Sequence, residues 1–257
     1  MRRYEKWIAD FARRFGVSIS RTSSTEPLPV EATSTDESII ESVTPFTMTS
    51  RGRLWALIRA VRYLEANEVP GDFVECGVWR GGSVMTMTAT LLEQGNPSRK
   101  LWLYDTYSGM TSPTQADVAS DSGVSAQVLL DATPIDDGNN VWCVASLDDV
   151  RANVLGTGYP AQHVEFVVGP VEETLLDTAP EAIALLRLDT DWYESTRASL
   201  EHLYPRLIPG GVCILDDYGH WQGARKAVDE YFASMGSSPL MMPIDYSGRI
   251  FTKPLSN

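Results

Sequence analysis

The chain has 257 residues, 43% of them apolar and 21% charged, and a formal charge of -13 at pH 7. That length accommodates one large α/β domain with additions, or two small domains, at an ordinary globular composition. The negative charge argues against non-specific nucleic-acid binding, because no overall positive field draws phosphates. No stretch approaches the ~18 continuous apolar residues of a membrane span. The start, Met1-Arg-Arg-Tyr-Glu-Lys6, lacks the apolar core of a secretory signal. Cys76, Cys143 and Cys213 are odd in number and widely spaced, which fits buried reduced thiols and a cytoplasmic location.

In chain order, Tyr4, Trp7, Ile8, Phe11 and Phe15 recur at helical spacing among Arg2, Arg3, Lys6, Arg13 and Arg14. This predicts an amphipathic, locally basic helix that packs on the domain, on a second subunit or on an anionic membrane surface. Residues 17–44, rich in Ser, Thr, Glu and Pro, read as a flexible linker, so 1–44 form an extension and 45–257 the main domain.

Within that domain a helix is predicted over 51–67, with Leu54, Leu57, Ile58, Val61 and Leu64 on one face and Pro70-Gly71 as its break. Strand-like and helical runs then alternate. Strands are expected over 73–76, 101–104, 163–168, 182–188 and 211–215. Helices are expected over 83–94, 171–176, 195–204 and 223–234, and a closing hairpin over 240–245 and 249–252. Such alternation argues for a doubly wound, mostly parallel sheet. Residues 111–150, rich in Asp, Ser, Pro and Gly, interrupt the rhythm and read as a lid over a site or as a surface excursion with one short helix.

Phe73-Val-Glu-Cys-Gly-Val-Trp-Arg-Gly-Gly-Ser83 reads as a strand, a glycine turn and a helix start, with Ser83 as a candidate cap. The spacing G-x-x-x-G-G is not the dinucleotide fingerprint G-x-G-x-x-G. Glu75 at the strand end would repel a pyrophosphate but suits a cationic amine or sulfonium. Asp105, ending the next strand, is placed to accept ribose hydroxyls. Together these imply a nucleoside without phosphates, such as S-adenosylmethionine. In Ala184-Leu-Leu-Arg-Leu-Asp-Thr-Asp-Trp-Tyr193 and Gly210-Gly-Val-Cys-Ile-Leu-Asp-Asp-Tyr218, apolar runs stop at carboxylates. Two such strand ends side by side crowd negative charge at the ligand-binding edge of an open sheet, and a hard cation such as Mg²⁺ relieves it.

Glu75-Cys-Gly-Val-Trp-Arg-Gly-Gly-Ser83, Tyr104-Asp-Thr-Tyr-Ser-Gly109, Arg187-Leu-Asp-Thr-Asp-Trp-Tyr-Glu-Ser-Thr196, Tyr204-Pro-Arg-Leu-Ile-Pro-Gly-Gly211 and Asp216-Asp-Tyr-Gly219 resemble the macrocin O-methyltransferase family over about residues 47–251. The resemblance implies a class I, Rossmann-like fold with a seven-stranded sheet. It also implies S-adenosylmethionine and Mg²⁺ as cofactors, a glycoside acceptor of the macrolide or aminocoumarin antibiotic type, and a homodimer or higher assembly. By matching motif, Glu75, Gly77 and Ser83 would line the methionine end of the cofactor, Asp105 would hold its ribose, and Gly81 would also belong to the cofactor site. Thr49 would lie in a segment closing over it, Ser146 and Asp149 near the adenine, and Glu172 or Glu173 would face the site. Asp189, Asp216 and Asp217 would hold Mg²⁺, with Asp191 as general base and His220 sharing that role, touching substrate or lining the wall. For Asp191 the structural alternative is a helix cap.

Arg187, inside a strand, is expected in a structural ion pair. Tyr107, Trp192, Tyr193, Tyr218 and Trp221 lie near the acids in sequence and suit either a sugar face or core packing. A catechol-type O-methyltransferase, which shares the fold and metal logic, and a catalytically silent cofactor-binding protein are the competing expectations.

Overall fold

The computed structural model describes residues 27–135 and 142–254. The amphipathic segment predicted over 4–15 lies outside them. The linker expectation fails over Ser34–Val43, which form a ten-residue helix, α1. Thr33 and Asp36 close a reciprocal cap: the Asp36 amide donates to the Thr33 hydroxyl at 3.2 Å, and the Thr33 amide donates to the Asp36 carboxylate at 3.0 Å. Ile39, Ile40 and Val43 then bury one face in the main core. The polar composition concealed a short helix because only its inward stripe is apolar.

The other helices are α2 (Arg51–Ala66), α3 (Gly82–Glu93), α4 (Ala126–Asp131), α5 (Leu147–Leu155), α6 (Val171–Thr174), α7 (Tyr193–Leu203) and α8 (Gln222–Ser234). The strands are β1 (Asp72–Cys76), β2 (Leu101–Asp105), β3 (Val164–Val168), β4 (Ile183–Leu188), β5 (Leu207–Leu215), β6 (Met242–Pro243) and β7 (Arg249–Thr252). They form one seven-stranded sheet in the order β3-β2-β1-β4-β5-β7-β6. The first five strands run parallel; β7 pairs antiparallel with β5 and with β6.

Side chains alternate across the sheet with period two. Phe73, Leu103, Leu185 and Ile214 pack with α1, α2, α3 and α5, while Val74, Cys76, Leu186 and Cys213 pack with α7 and α8 on the opposite face. Chain order reverses between β1 and β4, so the helices following these strands diverge and leave a crevice at their carboxyl ends. The described part of 111–150 is docked against that edge. Ala119, Ala126 and Leu130 form a third apolar cluster with Trp192, Trp221 and Ala224. Among the described residues no helix is long and apolar enough to cross a membrane.

Candidate active site

The crevice holds a cavity of about 260 Å³ at the ends of β1, β2, β4 and β5. The side at the end of β1 is shaped by Gly77. Gly77 has φ +83°, and an added Cβ would lie 1.8 Å from the carbonyl oxygen of Asp189. The two strand ends stay that close because the Asp189 amide donates to the Cys76 carbonyl at 2.9 Å. Gly82 plays a similar part on the helix side: a Cβ there would sit 2.6 Å from Cβ of Thr47, so residues 46–49 lie against the start of α3. Thr47, Met48 and Thr49 line the cavity, as do Gly77 and Ser83. Ser83 is not the cap of α3; that position is Gly81, at φ +91° with no side-chain cap. Gly81 lies outside the lining and meets Val150 and Val154 of α5.

Asp105 lines the cavity with both carboxylate oxygens fixed. Oδ2 accepts from the amides of Val78 at 2.7 Å and Trp79 at 3.0 Å, and Oδ1 from Tyr107 at 2.8 Å. Burial raises its pKa and the three amides oppose the rise. Glu75 is buried at the cavity wall; its Oε1 pairs with Arg187 and its Oε2 has no partner. Burial pushes its carboxyl up to about 8, against the pull of Arg187. Glu172 also lines the cavity with a buried, unpartnered Oε2, and burial raises its pKa. Glu173 is exposed and outside the lining.

The opposite side is acidic. Asp189, Asp216 and Asp217 each present a carboxylate oxygen, and the three oxygens lie within 4.8 Å of one another. Three hard oxygen donors at that spacing fit Mg²⁺. Arg187 sits beneath them, donating to Asp189 at 2.8 Å, to Asp216 Oδ1 at 2.7 Å and to Thr49 Oγ1 at 3.0 Å, besides its pair with Glu75. The structural ion pair expected for Arg187 is thus a junction of three acids. Arg53 of α2 pairs with Asp216 Oδ2 and with Asp245, the latter at 2.9 Å. Each oxygen of Asp216 is engaged by a guanidinium yet keeps a second lone pair.

Asp191 lines the same wall. Its backbone is left-handed, at φ +60°. Its amide donates to Asp217 Oδ2 at 3.1 Å, and its Oδ1 accepts the Trp221 indole at 2.6 Å. It is not a helix cap; Trp192 holds that position, and the first free amide of α7, that of Tyr193, donates instead to Asp117 at 2.7 Å. Burial, then repulsion from Asp189, pushes Asp191 up to about 7; burial, opposed by Arg187 and reinforced by Asp216, pushes Asp189 up to about 6.

Several expected site residues lie outside the lining of this cavity. Ser146 and Asp149 are exposed and outside the lining: Ser146 caps α5, and its hydroxyl donates to Asp149 at 2.7 Å. His220 is also outside it, its ring edge-on to Trp221 with centroids 4.8 Å apart and 6.0 Å from Tyr246. Burial lowers its pKa. Tyr107, Trp192, Tyr193, Tyr218 and Trp221 form no part of the wall; Trp192 and Trp221 pack together, and the other three hydrogen-bond to Leu103, Glu230 and Asp229. Nothing in the local sequence marks the reach of the buried Asp117, which accepts from nearby Thr114 but also from the amide of Tyr193 far along the chain. A basic residue on the apolar side of a predicted helix is the one available signal for Arg53.

The macrocin O-methyltransferase (TylF) family profile matches residues 19–253. The chain is 39% identical over 203 residues to the 8-demethyl-8-(2,3-dimethoxy-alpha-L-rhamnosyl)-tetracenomycin-C 4'-O-methyltransferase of Streptomyces olivaceus, covering 79% of this chain and 73% of that one. It is 34% identical over 203 residues to the mycinamicin III 3''-O-methyltransferase of Micromonospora griseorubida, covering 79% and 76%. Among solved structures, the O-methyltransferase NovP superposes with a TM-score of 0.71 at 31% identity over 82% of this chain and 83% of that one. With its glycine turn, strand-end acids and seven-stranded sheet, the chain belongs to the macrocin O-methyltransferase family and is an S-adenosylmethionine-dependent O-methyltransferase.

Proposed function

We propose that the enzyme methylates a sugar hydroxyl of a glycosylated natural product, with Mg²⁺ held by Asp189, Asp216 and Asp217 and with Asp191 as general base. The observation that carries this is the placement of Asp191 beside a three-carboxylate cluster within 4.8 Å, in the cavity that also holds Glu75 and Asp105. Bound there, Mg²⁺ would lower the pKa of a sugar hydroxyl and fix its orientation. Asp191, on the wall beside that cluster, takes the hydroxyl proton. Glu75 Oε2, buried without a partner, receives the cationic amine of the methyl donor, and Asp105 accepts its ribose hydroxyls.

The acceptor class in this reading is a glycoside of the antibiotic type. The relatives named for rhamnosylated tetracenomycin and mycinamicin substrates support the same class.

Calorimetry with S-adenosylmethionine, with and without Mg²⁺, tests the cofactor side. Binding of the methyl donor and a separate Mg²⁺ isotherm are expected; no binding of either overturns the proposal. Asp191→Asn should collapse turnover with Mg²⁺ affinity retained, and preserved turnover would remove Asp191 from the base role.

A further inference from the structure

We propose that Trp221 is a positioning residue for Asp191, linking the 111–135 layer to the reacting end of the site. The inference rests on Asp191 as general base. Asp191 is a non-glycine residue in the left-handed region, at φ +60°, a conformation that persists only when its surroundings enforce it. One turn grips it from two sides. Asp217 Oδ2 accepts the Asp191 amide at 3.1 Å, and the Trp221 indole donates to Asp191 Oδ1 at 2.6 Å. The turn is itself closed by the Asp217 carbonyl, which accepts from the amides of His220 and Trp221 at 3.0 Å each.

The indole is a neutral donor that cannot accept or release a proton here, so it distinguishes the two carboxylate oxygens. Oδ1 is committed to the indole, which fixes the edge of the carboxylate that faces Asp217 and the cavity and assigns Oδ2 to the acceptor's proton. Trp221 is in turn immobilised. It is 7% exposed, and it meets Trp192 edge-on with centroids 4.9 Å apart. It bridges to Ala119 of the docked layer, and the neighbouring Ser120 amide donates to the His220 carbonyl at 2.7 Å. Trp192 is held from the same layer, its indole donating to the Thr111 carbonyl at 3.0 Å. A layer that also lines the cavity through Thr111 thereby sets the rotamer of the base.

The first test needs no acceptor. In protein labelled with ¹⁵N at its seven tryptophans, the Trp221 indole resonance is assigned by its loss in Trp221→Phe. It should lie downfield and move upfield in Asp191→Asn. An indole resonance indifferent to Asp191→Asn overturns the proposal. The second test measures methyl transfer by the Mg²⁺-loaded enzyme to 8-demethyl-8-(2,3-dimethoxy-α-L-rhamnosyl)-tetracenomycin C. Trp221→Phe should lower kcat by about 10–100-fold while KM for S-adenosylmethionine stays within about threefold. Benzothienylalanine at 221, which keeps the shape and removes the N–H, should do the same if the phenylalanine variant folds poorly. In an Asp191→Asn background either replacement should change the residual rate by less than about twofold. Equal losses in both backgrounds, or kcat within about threefold of wild type, overturn the positioning role. Full activity in Asp191→Asn alone would instead sink the base assignment.

Discussion

Glu75 and Arg187 face each other at paired positions of β1 and β4 and form an ion pair in which each side chain is 2% exposed. They occupy the sheet face that is apolar one turn of the pleat earlier, at Phe73 and Leu185. Arg187 also reaches Asp189 and Asp216, so one guanidinium offsets three acids beneath the cavity. Removing it leaves Glu75 and Asp189 without their partner and Asp216 with Arg53 alone. Arg187→Met should destabilise the fold by about 3–5 kcal/mol in urea denaturation, the cost of breaking a buried pair from one side. A loss under about 1 kcal/mol would show that the acids do not need it.

Gly77→Ala should be more damaging than its single methyl suggests. The new Cβ would fall 1.8 Å from the Asp189 carbonyl, and φ +83° disfavours any side chain. Either β1 and β4 separate at their ends or the turn rebuilds. We expect a loss of at least about 3 kcal/mol of stability, read by denaturation, and no calorimetric binding of S-adenosylmethionine.

The three clustered aspartates should not behave alike. Asp189→Ala and Asp217→Ala should abolish Mg²⁺ binding and turnover, with affinity for S-adenosylmethionine held within about fivefold, since the proposal assigns that ligand to the Glu75 and Asp105 side. Asp216→Ala should in addition lower stability by about 2–4 kcal/mol, because it leaves Arg187 and Arg53 without their shared partner. Calorimetry with Mg²⁺ and urea denaturation on each variant separate the two effects. Equal stability of all three variants would contradict the structural share assigned to Asp216.

The cap of α1 makes a pH-dependent prediction. Burial acts to raise the pKa of Asp36, but the Thr33 amide and Arg62 outweigh it and hold the carboxyl below its ordinary value of 3.8. A depressed folded pKa contributes stability above the unfolded value and loses it as pH falls through the folded one. Asp36→Asn should therefore cost about 1–3 kcal/mol at pH 7. The difference from wild type should shrink as pH drops below about 4. A difference that is flat from pH 7 to pH 3 would mean that the Asp36 charge is not what holds α1.

Much of the architecture was legible in the chain because its periods are local. Runs such as Leu101–Tyr104 and Ala182–Leu188, each ending at or near an acid, mark buried strands. The stripe from Leu54 to Leu64 marks α2. The acids Asp105, Asp189, Asp191, Asp216 and Asp217 stand at strand ends by sequence, and a doubly wound sheet brings such ends to one edge. The helix α1 was hidden because a ten-residue segment with three inward apolar side chains looks like polar linker until a surface receives it.

How side chains outside the strands point was decided by the tertiary structure. His220 follows the acid pair closely in sequence and packs against Tyr246 and Trp221, and the Ser146 hydroxyl donates to Asp149 at the start of α5. Arg53, by contrast, lies 163 positions before Asp216 and meets it. Strand-end acids reach the cavity because the parallel sheet aligns every carboxyl end on one side. Loop side chains have no such rule, and their direction is settled only by which hydrogen bonds and apolar surfaces the assembled fold leaves open to them.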